Sequence, residues 1–181
     1  MNLSPEIKKQ YFNTPQMEAM YIAANTTVIV GGRRLGKSHG FGAPFLLRNM
    51  KHMPGSSGGV VGTSYQQLLT RTLPGTLNAL RQWNIQRDVH YYIGRKPPLS
   101  ANFKEPFIPP ASYDNSVIFW NGTILRLISQ DRPGTSNSLT LDWGLFDEAK
   151  FLNFDKLKDE TFPAMGGYSH KFRDCPWYRS T

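Results

Sequence analysis

Cysteine is almost missing from this 181-residue sequence. Cys175 is the only one, which excludes an intrachain disulfide and a thiolate metal cage. Histidine is also sparse: His39, His52, His90 and His170 are scattered without ligand spacing, so no structural zinc site is expected. No apolar run approaches the roughly 18 residues that a membrane-spanning helix needs. The opening Met1-Asn2-Leu3-Ser4-Pro5-Glu6 lacks the basic flank and apolar stretch of a signal peptide. A cytoplasmic, non-secreted, non-membrane protein is the resulting expectation. Internal repeats and low-complexity segments are absent. So is the poverty in apolar residues that marks disorder, because 39% of the chain is hydrophobic and 13% aromatic.

Acidic residues are few as well. Thirteen Asp and Glu against 21 Lys and Arg leave a formal charge of +8 and a pI near 9.7. Such a surface attracts polyanions through counterion release and steering, although an ordinary basic domain has the same balance. The cations are spread along the chain rather than gathered in a tail, which argues against a disordered nucleic-acid arm. The length suits a single domain over 1–181.

Ser4-Pro5 and Thr14-Pro15 each place a hydroxyl before a proline, the pattern of a helix start. They predict two short helices over about 5–11 and 15–24. Thr26 to Val30 is a β-branched run ending at Gly31-Gly32, and it predicts a buried strand entering a turn. A helix should follow from Lys37 to about Met50, its first turns perturbed by Pro44. Gly55 to Gly59 is expected to be a loop and Val60 to Thr63 a short strand. Tyr65 to Trp83 should be helical, broken or kinked at Pro74-Gly75. Arg95 to Pro110 holds five prolines and little periodicity, the mark of an exposed connection. Asn121-Gly122 between Val117–Trp120 and Thr123–Ile128 is a strong hairpin signal. Leu139 to Phe146 predicts another strand, Asp155 to Thr161 a short helix, and Pro163 to Gly167 a loop. Strands alternating with helices indicate an α/β fold: a central, mainly parallel sheet flanked by helices, with an antiparallel hairpin extension.

Gly31-Gly32-Arg33-Arg34-Leu35-Gly36-Lys37-Ser38 matches G-x-x-x-x-G-K-[ST]. Gly31 and Gly36 allow backbone conformations that turn successive amides toward phosphate oxygens. Lys37 would bring a mobile cation to the β- and γ-phosphates. Ser38 would offer its hydroxyl to Mg²⁺, and the following helix would point its positive end at the anion. All eight residues, Gly31 to Ser38, are therefore expected to line an ATP site.

Hydrolysis requires more than a phosphate loop. The apolar run Leu139 to Phe146 leads into Asp147-Glu148, which is the Walker B pattern. Asp147, at the carboxyl end of a strand, would share Mg²⁺ with Ser38. Glu148 could polarise the attacking water as general base. The pair favours an ATPase, with a core of the P-loop NTPase kind, over simple nucleotide storage.

With these motifs placed, the chain resembles the ATPase domain of the large terminase subunit of tailed bacteriophages. Thr14-Pro15-Gln16-Met17-Glu18-Ala19 is similar to that family's adenine-recognition motif, and Gln16 would be the amide that reads the base. The resemblance places this motif among the N-terminal helices, residues 1–25. Arg33, four residues before the lysine, matches the position of a cis arginine finger, and Arg34 is the neighbour that could replace it. Val60-Val61-Gly62-Thr63-Ser64-Tyr65 and the stretch from Asn121-Gly122-Thr123 through Ser129-Gln130-Asp131-Arg132 to Ala149 also look family-like. The likeness runs from about residue 14 to 150. Tyr178-Arg179-Ser180-Thr181 resembles the leading edge of the family's coupling motif. The rest of that motif and the family's nuclease domain have no counterpart in the sequence.

The resemblance implies an Mg²⁺-dependent ATPase that packages double-stranded DNA into proheads in the cytoplasm of an infected bacterium. Its partners would be duplex DNA, the portal protein and the small terminase subunit, with the chain in a homo-oligomeric ring on the portal. Glu148, Arg33 and Lys37 would be its catalytic residues. Arg71, Arg81, Arg87, Arg95 and Arg132 are all candidates for reaching a neighbouring subunit. Trp83, Trp120, Trp143 and Trp177 are expected in the core rather than as base-stacking platforms. Two alternatives stay open: a helicase-like, DNA-stimulated ATPase, and a non-catalytic module that binds nucleotide or DNA without turnover.

Overall fold

The computed structural model describes residues 9–32, 35–132, 134, 136–167 and 169–181. Its centre is a five-stranded mixed sheet built from β1 (Ser57–Gly62), β2 (Tyr91–Ile93), β3 (Ser116–Phe119), β4 (Ile124–Ser129) and β5 (Trp143–Phe146). The order is β2-β3-β4-β1-β5. β1 lies parallel to β4 and to β5, with Val60 opposite both Leu127 and Leu145. β3 pairs antiparallel with β4, as the hairpin signal predicted, and β2, which no sequence signal marked, adds antiparallel to β3.

In the β3–β4 turn only one of the two signal residues uses its tolerance of positive φ. Gly122 alone takes the left-handed conformation, at φ 85°. Its N–H donates to the Phe119 carbonyl, and the Phe119 N–H donates to that of Thr123. This is a three-residue connection closed by a glycine bulge. Asn121 is fixed by donating from Nδ2 to the Met50 carbonyl at 2.8 Å.

Helices cover both faces. α1 spans Thr14–Ile22, α2 Ala43–His52, α3 Tyr65–Gln67, α4 Leu73–Gln82, α5 Phe154–Lys156, α6 Phe162–Ala164 and α7 Ser169–Phe172. On one face, Leu46 and Met50 of α2 and Leu77 and Leu80 of α4 pack on Val60, Leu125, Leu127 and Trp143. On the other, Leu152, Leu157 and Met165 pack on Val61, Ile128 and Leu141. Neighbouring strand residues point to opposite faces, so a strand buried on both sides is apolar throughout rather than alternating.

Several expectations are corrected. Gly55 to Gly59 is not all loop, because β1 begins at Ser57. A Cβ on Gly58 would lie 2.3 Å from the Trp143 ring, and one on Gly59 2.8 Å from Leu141 Cδ1. The glycines are strand residues whose missing side chains make room for large neighbours. Thr26 to Val30 is not a buried strand: Val28 is 82% exposed and Val30 94%. Among the described residues only its start is bonded, with the Thr27 N–H donating to the Thr181 carbonyl and the Thr181 N–H to that of Asn25. No described strand runs beside residues 28–30, so the β-branched run has no ladder to join. The strand predicted over Leu139–Phe146 is confined to β5, at the sheet's edge. Of the helix expected at 5–11, residues 5–8 lie outside the described residues and 9–11 are not helical. The short helix α7 has no counterpart among the predicted elements.

Pro74-Gly75 does not break its helix. α3, a π-turn over Leu68–Thr72 and α4 run on continuously. Pro44 follows a π-turn over Ser38–Gly42 in the same way, and Pro163 follows one over Leu157–Thr161. That third case carries the segment expected as a short helix past Thr161 and puts Pro163 and Ala164 inside α6, not in a loop. In each case the residue just before the proline donates to the carbonyl five positions back: Ala43 to Ser38, Leu73 to Leu68, Phe162 to Leu157. A proline inside an α-helix lacks the N–H for its bond and collides with the carbonyl four residues earlier. A preceding turn with one extra residue moves that carbonyl away.

Candidate functional site

In open α/β sheets, ligands sit beyond the carboxyl ends of parallel strands. Here the ends of β1, β4 and β5 bring together Thr63-Ser64, Ser129 to Asp131, and Asp147-Glu148. Their backbones are tied: the Gln130 N–H donates to the Gly62 carbonyl at 3.1 Å, Asp131 to Thr63 at 3.0 Å and Asp147 to Val61 at 3.0 Å. Ser64 caps the helix that leaves β1, accepting from the Gln67 N–H at 3.1 Å.

The glycine-rich loop leads into the π-turn before α2. Arg33 and Arg34 lie outside the described residues. Gly36 adopts φ 67°, and its carbonyl accepts from the Gly40 N–H at 2.7 Å. That backbone sign is open to glycine at little cost. Lys37 Nζ donates to the Gly31 carbonyl at 3.3 Å, so the lysine ties the two ends of its own loop. It pairs with no carboxylate among the described residues. Gly32 and Leu35 are exposed, while Gly31, Lys37 and Ser38 are half-buried.

Gln16 is 6% exposed and packs against this loop. The helix cap lies one residue earlier than Thr14-Pro15 suggested. Asn13 Oδ1 accepts from the Gln16 N–H at 3.0 Å, and Gln16 Oε1 accepts from the Asn13 N–H at 3.1 Å. This is a capping box. The other end of the amide, Nε2, donates to the Leu35 carbonyl at 3.4 Å. Both ends of the amide therefore meet the protein's own backbone. Gly40 makes the approach possible, since a Cβ there would lie 2.2 Å from Gln16 Cδ.

Asp147 and Ser38 meet the same turn of one helix. Asp147 Oδ2 accepts a hydrogen bond from Thr72 Oγ1. Three residues on, a Cβ at Gly75 would lie 2.8 Å from Ser38 Oγ. Positions three apart share a helix face, so the lysine-serine end of the loop and the carboxylate of β5 converge there. Glu148 is exposed and takes φ 49°. A left-handed non-glycine residue costs about 1 kcal/mol or more, and such residues gather at functional sites. Gly40, Thr72 and Gly75 were not singled out from the sequence. Gly75 sits in the Pro-Gly pair that reads as a helix breaker, and nothing in the pattern marks Thr72.

The candidate arginines are dispersed. Arg132 lies 5.6 Å from the centre of the Tyr65 ring, near the strand ends. Burial pushes the Tyr65 hydroxyl above its ordinary pKa, Arg132 opposes that rise, and Asp131 adds to it. Arg95 pairs with Asp88 at 2.7 Å. Arg81 and Arg87 line a cavity of about 450 Å³ with Leu77, Asn78, Gln86 and Tyr91. Of the tryptophans, Trp143 is fully buried and donates to Ser56 Oγ at 3.0 Å. Trp83 packs at a tilt against His39 and Phe12 beside the loop, and Trp120 is 38% exposed. Among the described residues no three His, Cys, Asp or Glu side chains cluster as a metal cage. No described helix is long and apolar enough to cross a membrane.

No family model and no curated protein matches the chain. Solved structures do. The large terminase ATPase domain of Thermus phage P74-26 superposes with a TM-score of 0.57 at 18% identity, covering 86% of this chain and 60% of that one. A mutant of the same domain gives 0.54. The large terminase of the thermophilic bacteriophage D6E gives 0.60 at 15% identity, covering 86% of this chain and 36% of that one. The chain thus spans about three fifths of the phage P74-26 ATPase-domain structure and about a third of the D6E terminase. Its fold, a mixed sheet with a parallel core flanked by helices, is the fold of phage large-terminase ATPase domains.

Proposed function

We propose that this chain is the ATP-binding and ATP-hydrolysing core of a motor that packages double-stranded phage DNA. The observation that carries the proposal is the convergence of Ser38 and Asp147 on one turn of the 65–82 helix, on a terminase ATPase fold. Gly31, Gly32, Arg33, Arg34, Leu35 and Gly36 wrap the triphosphate, and Lys37 leaves the Gly31 carbonyl to meet the β- and γ-phosphates. Arg33, or Arg34 beside it, neutralises charge as it develops on the γ-phosphate. Glu148, exposed on its left-handed turn, takes a proton from the attacking water. Gln16 holds the loop and reads adenine by exchanging one of its backbone partners for the base edge.

The donor set fits Mg²⁺. One hydroxyl and one carboxylate are hard oxygen ligands, and Mg²⁺ is commonly held by one or two protein oxygens together with substrate phosphates and water. Bound there, the ion would draw charge from the phosphate oxygens; Ser38 and Asp147 would hold it in place.

The fuller setting is part of the same proposal: a homo-oligomeric ring on a portal, with a small terminase subunit, in the host cytoplasm. The net charge of +8 suits a DNA partner. A second reading, a nucleotide- or DNA-binding module without turnover, draws support from residues 28–30, which join no described strand before they enter the loop.

ATP binding and turnover, measured with and without duplex DNA, test the proposal. Lys37→Ala should weaken ATP binding tenfold or more, and Glu148→Ala should stop turnover while sparing affinity. Unchanged ATP affinity in Lys37→Ala would remove the site. Tight binding with no turnover in the wild-type chain would favour the module.

A further inference from the structure

Between the loop and the acidic pair stands the 65–82 helix, to which no sequence motif assigns a part in the chemistry. Two of its small residues, Thr72 and Gly75, face the site. Thr72 ends the π-turn over Leu68–Thr72, and the extra residue of a π-turn rotates the next helical turn by about 100° relative to an unbroken α-helix. This register sets Thr72 and Gly75 toward Asp147 and Ser38. A glycine at 75 lets Ser38 come close. Gly42, in the loop's own π-turn, meets Thr76 in the same manner, with 3.3 Å between its missing Cβ and Thr76 Oγ1. The two helices thus cross through small residues at the site itself.

Asp147 is held at two points. Its N–H donates to the Val61 carbonyl at 3.0 Å, which fixes the backbone, and Thr72 Oγ1 donates to Oδ2, which fixes the carboxylate. Threonine is branched at Cβ and restricted to two χ1 rotamers in a helix, and the bond to Oδ2 selects one of them. Oδ1 accepts no hydrogen bond from any described residue. The carboxylate is left with one oxygen anchored and one available.

We propose that Thr72 is the positioning residue for Asp147, holding its carboxylate so that the free oxygen serves a divalent cation shared with Ser38. The inference rests on the nucleotide-site reading above. It adds that the cation site is built from three elements, the loop, β5 and the 65–82 helix. The helix contributes orientation rather than a ligand. Without the Thr72 hydroxyl the carboxylate would rotate, and metal-dependent affinity would fall while the phosphate contacts of the loop stayed intact.

The test uses the full chain and a fluorescent ADP analogue, titrated in EDTA and again in saturating Mg²⁺. Mn²⁺ binding to the nucleotide-loaded protein is followed by electron paramagnetic resonance. Thr72→Val keeps the shape and removes the donor; Thr72→Ser keeps the donor. Thr72→Val should bind the analogue in EDTA like wild type, lose about tenfold of the gain that Mg²⁺ brings, and bind Mn²⁺ about tenfold more weakly, as expected for a lost hydrogen bond to a charged group. Thr72→Ser should recover most of both. A full Mg²⁺ gain in Thr72→Val overturns the proposal, and so does an equal loss with and without metal, which marks a purely structural role. Absence of nucleotide binding by the wild-type chain is a separate result that removes the underlying site and the proposal with it.

Discussion

Gly40→Ala is a demanding test of how α1 clamps the glycine-rich loop. The new methyl would lie 2.2 Å from Gln16 Cδ, 2.3 Å from Nε2 and 2.4 Å from Cγ. No backbone bars it, since Gly40 has no positive φ. Gln16 must therefore swing out, losing its bonds with the Asn13 N–H and the Leu35 carbonyl. Two such bonds are worth about 1 kcal/mol each, and crowding a packed site adds about 1 kcal/mol more. Alanine in place of a helical glycine returns about 0.5–1 kcal/mol. The net is a loss of about 2 kcal/mol, or roughly 4–8 °C in melting temperature for a chain of this size.

The decisive measurement is a double-mutant cycle with Gln16→Ala, read by thermal unfolding. The three atoms nearest the added methyl all belong to the Gln16 side chain beyond Cβ. Once that side chain is truncated, Gly40→Ala should stabilise by about 0.5–1 kcal/mol. The sign reverses, and the coupling between the two positions is about 2–3 kcal/mol. Effects that add to within about 0.5 kcal/mol would refute the clamp. The same Gln16→Ala protein separates the two roles of the amide: a clamp weakens binding of all nucleotides alike, whereas a base reader loses preference for adenine over guanine.

Gly75→Ala places a methyl 2.8 Å from Ser38 Oγ; nucleotide affinity in Mg²⁺ should fall severalfold while affinity in EDTA holds, as compared by fluorescence titration. Trp143→Ala empties the space between β1 and α2, where the ring is 1% exposed, and should cost about 3–5 kcal/mol in chemical denaturation. Val30→Thr should change stability by no more than about 0.5 kcal/mol, because the side chain is 94% exposed; a loss of about 2 kcal/mol or more would show that the segment is buried after all.

The chemistry was more legible than the geometry. Lys37-Ser38 and Asp147-Glu148 stand out because their residue types and spacing are those that a phosphate and metal site would require, and Thr72 and Gly75 of one helix meet Asp147 and Ser38. The sheet's antiparallel side was readable for a similar reason, since Asn121-Gly122 specifies a turn through local backbone preferences. Misreadings arose where a distant partner decides the outcome. Gly58 and Gly59 look like a loop until Trp143 and Leu141 fill the space above them. Val28 to Val30 looks like a buried strand, yet burial requires a neighbour that the β-branched pattern cannot supply. Pro74 looks like a breaker because the rule concerns an α-turn. Whether a π-turn can form before it depends on what Leu68 and Leu73 pack against.

The loop and the acidic pair are joined although the segment that enters the loop is not a described strand of the sheet. One link is the 65–82 helix, through Thr72 and Gly75. The other is made by residues 179–181. The Arg179 N–H donates to the Asp142 carbonyl at 2.6 Å, and the Ser180 carbonyl accepts from Gly144 at 2.9 Å, on the β5 side. Thr181 bonds Asn25 and Thr27 on the loop side, at 3.0 and 2.9 Å. Around it, Asn25 donates to the Pro176 and Tyr178 carbonyls, and Trp177 Nε1 donates to that of Ala23 at 3.0 Å. Arg48 lies over the Trp177 ring and reaches the Ala24 carbonyl. Burial lowers its pKa, a cost tolerable only where aromatic faces and a carbonyl replace part of the lost water. The chain ahead of the glycine-rich loop is therefore held at Asn25 and Thr27 from β5 by a short double-sided ladder. The region of Asp147 and that of the loop are thus linked twice, through Thr72 and Gly75 to Ser38 and through residues 179–181 to Asn25 and Thr27.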